Sequence, residues 1–363
     1  MRGKLLAIIL IITILIVMTG CSQEPKTGYT KFSNSFFDTF NTLTQVVAYA
    51  ESEEEFESYY EYIHTRFQKL HKLYDIYNNY EGINNVKTIN DNAGVEPVKV
   101  DKEIIDLILF AKKWHALTGG QTNIAMGSVL RIWHDYRTEG FDFPEEAKLP
   151  PMEMLQSAKK HTDITKVIVD EDASTVYLAD KDMSLDVGAI AKGFATQLVV
   201  EEMKTAGLTS GIISAGGNIS VIGVPYDGVR ERWSIGIQNP DESIVSTDGV
   251  LETVYVTDAS VVSSGDYQRY YVVDGKKYNH IIDAETLMPG EYYRAVSIVA
   301  EGSAVADFMS TALFLLPFDE SLALANSIEG VDALWVMHDG SVKTTEGLKA
   351  MMKSEGATNS LKK

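Results

Sequence analysis

The sequence has almost no cysteine: Cys21 is the only one in 363 residues. The chain therefore cannot form an internal disulfide or a metal site built on several cysteines, so the fold must rest on its hydrophobic core. Basic residues are also scarce, since 32 Lys and Arg stand against 51 Asp and Glu, a formal net charge of -19. This balance argues against nucleic acid as a partner, because binding to a phosphate backbone needs dense Lys and Arg.

The first twenty residues are typical of a secretory signal. Arg2 and Lys4 precede a largely apolar run over residues 5–18, which is shorter than the roughly 20 residues of a membrane-spanning helix. The run ends in Met-Thr-Gly-Cys, which resembles the lipobox of bacterial lipoproteins, with Cys21 as the lipidated residue and new N-terminus. The alternative is an uncleaved anchor helix with an incidental cysteine.

The rest of the chain is expected to form one domain. We predict a signal peptide over 1–20, a lipidated cysteine and tether over 21–34, a domain over 35–350 and a polar tail over 351–363. Strand and helix patterns alternate without a repeating βαβ period, which favours an α+β fold of mixed, mainly antiparallel sheet with packed helices. Periodicity predicts helices over 52–77, 101–117, 190–206 and 303–316, the last capped by Ser303. It predicts strands over 35–50, 211–215, 219–223, 232–238 and 251–257, two strands around an acidic turn within 166–187, and a hairpin over 269–282 that turns at Asp274-Gly275.

Two glycine-bearing turns could bring the backbone close to a ligand. The segment 186–193 (DVGAIAKG) follows a predicted strand and opens a helix, whose first N–H groups suit an anion, and Lys192 could reach a phosphate. The segment 214–218 (SAGGN) joins two β-branched strands. Each also has a purely structural interpretation, as a strand-to-helix turn and as a simple hairpin.

Two further segments carry polar side chains. The segment 263–267 (SSGDY) reads as a polar turn before a hairpin that leads to His280. Asp307 and Thr311 are four residues apart on a predicted core-facing helix, so they share a face. Burying a bare carboxylate is costly, and a hard cation with oxygen ligands would offset that cost. A structural histidine and a helix-dipole carboxylate are the alternatives.

Taken in order, these motifs resemble the bacterial FAD:protein FMN transferases, the ApbE-type lipoproteins. The likeness includes the segments FFDTFNT at 36–42 and TNIAMGSVLRIW at 122–133. It implies magnesium-dependent transfer of FMN from FAD to a Ser or Thr hydroxyl of exported redox proteins, with release of AMP. It also implies a place on the outer face of the cytoplasmic membrane, held there by the lipid anchor.

The resemblance also implies roles for individual residues. His280 is the candidate proton acceptor, with a pKa expected near working pH. The magnesium ligands would be Asp307, Thr311, Ser310 and the Ala189 carbonyl, and Asp307 counts among the catalytic residues. The FAD contacts would be Phe40, Tyr77, Gln121, Thr122, Asn123, Asp186, Lys192 and Ile281.

The chain departs from the family pattern at two places. Phe40-Asn41-Thr42 stands where many members have Met-Gly-Thr, and Gln121-Thr122-Asn123 where many have Ala-Phe-Asp. Two other functions stay open at this point: hydrolysis of FAD to FMN and AMP, and a non-catalytic FAD-binding lipoprotein. The identity of the acceptor protein cannot be predicted from the chain.

Overall fold

A computed structural model describes residues 28–243, 246 and 249–360. The predicted signal peptide and Cys21 lie outside the described residues. Within the described part, no helix combines the length and apolar character that crossing a bilayer requires.

An antiparallel sheet of eight strands forms the centre of the domain, in the order β1-β2-β6-β7-β10-β13-β14-β15. Three smaller sheets pair β3-β5-β4, β8-β9 and β11-β12. In chain order the strands are β1 Thr30–Thr39, β2 Thr42–Ala50, β3 Val98–Lys99, β4 Val167–Asp170, β5 Thr175–Leu178, β6 Gly211–Ala215, β7 Asn218–Ile222, β8 Trp233–Gln238, β9 Val250–Val256, β10 Ser260–Gly265, β11 Tyr270–Val273, β12 Lys276–Asn279, β13 Ala295–Ala300, β14 Asp332–Val336 and β15 Val342–Thr344.

The helices follow from capping and from apolar periodicity. In the first of them, the Ser52 hydroxyl accepts a hydrogen bond from the Glu55 N–H at 3.2 Å, and Phe56, Ile63 and Phe67 lie on its buried face. The helices are α1 Glu53–Tyr74, α2 Val86–Asp91, α3 Lys102–Leu117, α4 Gly127–Asp142, α5 Met152–Lys159, α6 Ala191–Thr205, α7 Ser303–Phe314, α8 Phe318–Ser327 and α9 Glu346–Lys349.

Both faces of the central sheet are covered. Helices α1, α6 and α7 pack on one face, and the β8-β9 ribbon packs on the other. Strand β13 is buried at all six positions for this reason: Val296 and Ile298 face the helices, while Ala295 and Val299 face the ribbon. A third cluster joins α4, α5 and the β11-β12 hairpin beside the sheet.

The α+β class, the single domain and the mainly antiparallel sheet are confirmed, but several local predictions need correction. Residues 35–50 are not one strand, because the chain reverses at Phe40 and Asn41, each with φ of 50°, to form the β1-β2 hairpin. Residues Ser263 to Gly265 belong to β10 rather than to a polar turn. Gly302, not Ser303, occupies the N-cap of α7.

The predicted ends of the domain are also shifted. Strand β1 begins at Thr30, inside the segment predicted as tether. The segment predicted as polar tail contacts the ribbon through a bridge from Met352 to Val254, and Ser360 bridges to Arg230 just before β8. Helix α4 and strand β13 are not among the predicted elements, and β13 has no alternation of apolar and polar residues because both its faces are buried.

Candidate active site

A cavity of about 230 Å³, called the main cavity because it collects the motif residues and not for its size, opens where five parts of the fold meet. These are the turn before α6, helix α7, the β6-β7 turn, the end of β10 and the face of α4. The polar residues of its lining are Tyr77, Gln121, Thr122, Asn123, His134, Arg137, Asp186, Lys192, Asn218, Ser263, Ser264, Gln268, Arg269, His280, Asp307 and Thr311.

The turn before α6 fixes Asp186 and Lys192 in the wall. The Asp186 N–H donates to the Ile124 carbonyl at 2.8 Å, and its carboxylate accepts the Gly188 N–H at 2.8 Å. Burial raises the pKa of the Asp186 carboxyl. In the first turn of α6, the Lys192 Nζ lies 3.4 Å from the Asn218 Oδ1 and 3.9 Å from the Asp307 Oδ1.

Asp307 is a nearly buried carboxylate at the contact between α6 and α7. Its Oδ2 accepts the Gly193 N–H at 2.8 Å, and its side chain is 7% exposed. The helices approach so closely that a Cβ on Gly193 would lie 2.4 Å from the Cβ of Asp307. Glycine at 193 is therefore required by the site itself, because any larger residue would displace the carboxylate.

Of the two hydroxyl residues predicted beside Asp307, one lines the main cavity. Thr311, one turn further along α7, faces it. Ser310 is fully buried behind the wall, where its hydroxyl donates to the Asp307 carbonyl at 2.9 Å and lies 2.8 Å from the Ser264 hydroxyl. Ser310 thus supports the wall and is not among its lining residues.

His280 lines the main cavity, but its electrostatic surroundings differ from expectation. Burial lowers the pKa of its imidazole to about 3, and the charges of Arg269, Arg137 and Lys192 act in the same direction. The expectation of a pKa near working pH is therefore wrong for the cavity without a ligand. Its Nδ1 is buried with no hydrogen-bond partner among the described residues, so the neutral ring can accept a proton.

Other polar atoms of the wall are also unsatisfied. The Asn218 Nδ2 and the Thr122 Oγ1 are buried, and neither has a partner in the described part of the chain. Buried polar groups are nearly always hydrogen-bonded in folded proteins. Three unsatisfied atoms around one cavity, counting the His280 Nδ1, indicate that a polar ligand completes them.

The remaining predicted contacts separate into two groups. Tyr77, Gln121 and Ile281 line the main cavity as expected. Asn123 also lines it, yet its amide is engaged with the backbone, donating to the Thr162 carbonyl at 2.9 Å and accepting from the Ala125 N–H at 2.8 Å. Phe40 is not a lining residue; its ring packs against Phe67 and His71 behind the β1-β2 turn.

Two arginines of the cavity were missed. Arg137 lies on α4, which is not a predicted helix, and Arg269 is two residues beyond the motif at 263–267. The spacing of Val129 and Trp133, four residues apart and buried, was the signal that could have revealed α4 and hence its polar face. With Lys192 these arginines give three cations, against the carboxylates of Asp186 and Asp307. A chain of net charge -19 thus surrounds this cavity with an excess of positive charge.

Another cluster of possible metal ligands lies elsewhere. His161, Asp180 and Asp182 offer ligand atoms within 4.8 Å of one another. Asp180 already pairs with the Lys166 Nζ at 2.9 Å and with the His161 Nδ1 at 3.0 Å, and none of the three lines the main cavity. These contacts account for the cluster as a surface ion-pair network.

The fold is an α+β domain whose cavity, lined by three cations beside the buried Asp307 carboxylate, suits an anionic small molecule. The sequence model of the ApbE family matches residues 40–335, most of the chain, and the protein belongs to this family. The resemblance found in the motifs is thereby confirmed.

Named relatives agree with the family assignment. The FAD:protein FMN transferase of Treponema pallidum is 35% identical over 272 residues, 72% of this chain and 72% of the relative. That of Klebsiella pneumoniae is 28% identical over 254 residues, 70% of this chain and 75% of the relative.

Solved structures share the fold. The ApbE protein of Thermotoga maritima superposes with a TM-score of 0.77 at 27% identity, covering 89% of this chain and 99% of that one. The flavin transferase ApbE of Vibrio cholerae gives a TM-score of 0.72 at 20% identity, over 89% of this chain and 99% of that one, a likeness of fold alone.

Proposed function

We propose that this protein is an FAD:protein FMN transferase that requires magnesium. It transfers FMN from FAD to a Ser or Thr hydroxyl of an exported acceptor protein and releases AMP. Membership of the ApbE family and the names of its relatives support the reaction class. The cation-lined cavity supports a phosphate-bearing substrate.

The observation that carries the proposal is the setting of Asp307. The Gly193 N–H holds one carboxylate oxygen, and the one ionic neighbour of the Oδ1 in the described part of the chain is Lys192, 3.9 Å away. A nearly buried carboxylate with one oxygen unsaturated suits a hard cation, which takes oxygen ligands. Thr311 and Ala189 line the same cavity and could add a hydroxyl and a backbone carbonyl. The residues present therefore fit magnesium. Ser310 does not line the cavity, so we assign it the role of supporting Asp307 and not that of a magnesium ligand.

In the proposed reaction the acceptor oxygen forms a bond to the FMN phosphorus, and the bond from that phosphorus to the AMP phosphate oxygen breaks. AMP leaves with the electron pair. When bound, magnesium would neutralise charge on the pyrophosphate. Lys192, held between Asn218 and Asp307, contributes a fixed positive charge to the same oxygens.

His280 is the proposed acceptor of the proton from the attacking hydroxyl. The pKa of about 3 applies to a cavity in which three cations face the imidazole. An anionic substrate opposes those charges, so its binding raises the basicity of the ring. The unpartnered Nδ1 leaves the imidazole free to make a new hydrogen bond.

The direct test is mass spectrometry of a candidate acceptor after incubation with the protein, FAD and magnesium. We expect a mass gain of one FMN that is lost with EDTA and lost with Asp307→Asn, which keeps the Gly193 contact but removes the charge. Asp319→Asn, on the exposed start of α8, is the matched control. Steady AMP release without acceptor would indicate an FAD hydrolase instead, and FAD binding without AMP a storage protein.

We also propose that the protein is exported and anchored by a lipid on Cys21 to the outer face of the cytoplasmic membrane. The basic start, the short apolar run and the lipobox-like Met18-Thr-Gly-Cys21 support this. Such a location would bring the enzyme to exported redox proteins.

A further inference from the structure

Two arginines of the main cavity are not assigned a contact with the substrate in the proposed reaction. Arg137 lies on α4 and Arg269 on the loop after β10, and both line the cavity. Among the described residues, the Arg137 guanidinium makes one hydrogen-bonding contact, from its Nη2 to the His134 Nδ1 at 3.2 Å. In the described part of the chain, neither guanidinium forms an ion pair with a carboxylate.

Pairing differs among the other described arginines: Arg131 and Arg232 have no carboxylate partner either, but neither lines the main cavity, whereas more buried ones are paired. Arg66 pairs with Glu202 at 2.7 Å, and Arg294 pairs with Asp266 at 3.0 Å, in settings that are also partly buried. Acidic residues are abundant, 51 against 32 basic ones. The missing partners of the two cavity arginines are therefore not explained by a shortage of carboxylates.

Leaving Arg137 unpaired is unfavourable, whereas Arg269 is exposed to solvent. Arg137 is half-buried, and burial lowers the pKa of its guanidinium. The positive charge of Arg269 acts in the same direction, while Tyr77 and Asp186 oppose it. Arginine stays protonated in proteins, so the folded chain retains a poorly solvated cation beside a like charge. Such an arrangement is typical of a site that an anion completes.

We propose that Arg137 and Arg269 form a second anion subsite of the main cavity, which binds a phosphate group of the nucleotide substrate. The subsite lies on elements other than those that hold Lys192 and Asp307. Planar guanidinium groups bind phosphate oxygens in pairs of hydrogen bonds, which suits a non-bridging pair on one phosphorus. The identity of the nucleotide as FAD rests on the proposed function.

The test compares ligands with and without phosphate. Binding of FAD and of riboflavin is measured by flavin fluorescence for the full chain, for Arg137→Gln and for Arg269→Gln. We expect each variant to bind FAD at least about tenfold more weakly, with riboflavin affinity changed by less than about twofold. Arg131→Gln, on the same helix but outside the lining of the main cavity, should match the unmodified protein.

A second readout separates a ligand contact from a structural role. Because Arg137 is poorly solvated without ligand, Arg137→Gln should leave the thermal unfolding temperature of the free protein unchanged or raise it. FAD affinity within about twofold of the unmodified protein in both variants would overturn the subsite. A lower unfolding temperature together with equal losses of FAD and riboflavin binding would overturn it as well.

Inorganic pyrophosphate distinguishes failure of the subsite from failure of the proposed function. If the unmodified protein binds no FAD, the FMN transferase assignment is wrong, but pyrophosphate binding by calorimetry still tests the arginines. Pyrophosphate that binds the unmodified protein and is lost in both variants supports the subsite. Binding that is absent throughout, or equal in all proteins, overturns it.

Discussion

Replacing Gly193 by alanine tests whether the α6-α7 contact holds the site together. The added Cβ would lie 2.4 Å from the Asp307 Cβ, 2.5 Å from the Ser303 carbonyl oxygen and 3.0 Å from the Asp307 Oδ2. The Ser303 oxygen belongs to the backbone, and the backbone fixes the position of the Asp307 Cβ. A change of side-chain rotamer therefore cannot remove the clash. The helices must separate, or the Asp307 side chain must leave its position.

The expected magnitude combines three contributions. Overpacking at a tight contact costs about 1–3 kcal/mol. Loss of the charge-assisted bond from the Gly193 N–H to Asp307 costs about 1.5–3 kcal/mol. The higher helix propensity of alanine opposes these losses and stabilises the folded protein by up to about 1 kcal/mol. Together these contributions predict that Gly193→Ala reduces the free energy of unfolding by about 1.5–6 kcal/mol.

The assay pairs urea unfolding with magnesium titration of FMN transfer. Because Asp307 is displaced, the magnesium concentration for half-maximal activity should rise at least about tenfold, which corresponds to about 1.4 kcal/mol. Gly236→Ala is the control: it lies on β8, where a Cβ would meet only Val250 methyl groups at 3.3 Å. Its unfolding free energy should change by less than about 1 kcal/mol. Unchanged stability and unchanged magnesium dependence in Gly193→Ala would refute the account of the helix contact.

Three further predictions follow from single residues. His280→Ala should lower the FMN transfer rate by about 10²–10⁴-fold with FAD still bound, and transfer at the native rate would remove the base role. Because the Asp186 carboxyl ionises less readily in the folded than in the unfolded protein, its raised pKa makes the free energy of unfolding depend on pH. The contribution of the protonated carboxyl to that free energy is present below pH 3.8 and is lost as the pH rises through the raised pKa. Asp186→Asn should therefore unfold at a higher temperature than the unmodified protein at pH 7. Equal unfolding temperatures of the two proteins at pH 7 would contradict the conclusion that burial disfavours the Asp186 carboxylate. Cys21→Ser should move the protein from the membrane fraction to the soluble fraction of expressing cells, and retention of both proteins in the membrane would favour an uncleaved anchor helix.

Much of the active site was within reach of the sequence, since its residues cluster in short motifs. The segment 186–193 places Asp186 and Lys192 on one turn, and helical spacing places Thr311 one turn after Asp307. The His280 motif follows a hairpin whose Asp-Gly turn was identifiable. In each case the local backbone alone brings the residues together.

Other features depend on contacts between distant segments. Phe40 was expected at the ligand by comparison of short motifs, yet the β1-β2 turn directs its ring onto Phe67 and His71. The basicity of His280 could not be anticipated either. It depends on burial and on cations contributed by α4, by the loop after β10 and by α6.

The sequence by itself determined the α+β class, the family and the residues of four motifs, because these depend on periodicity and on spacing along the chain. It also carries the whole argument for export and lipidation, which depends on residues 1–21 alone. Only the tertiary structure decided which oxygen of Asp307 is free, why residue 193 must be glycine, and that Arg137 and Arg269 face one cavity without carboxylate partners. The physical reason is that burial, charge and hydrogen-bond satisfaction depend on neighbours in space, and here those neighbours are separated by more than a hundred residues of chain.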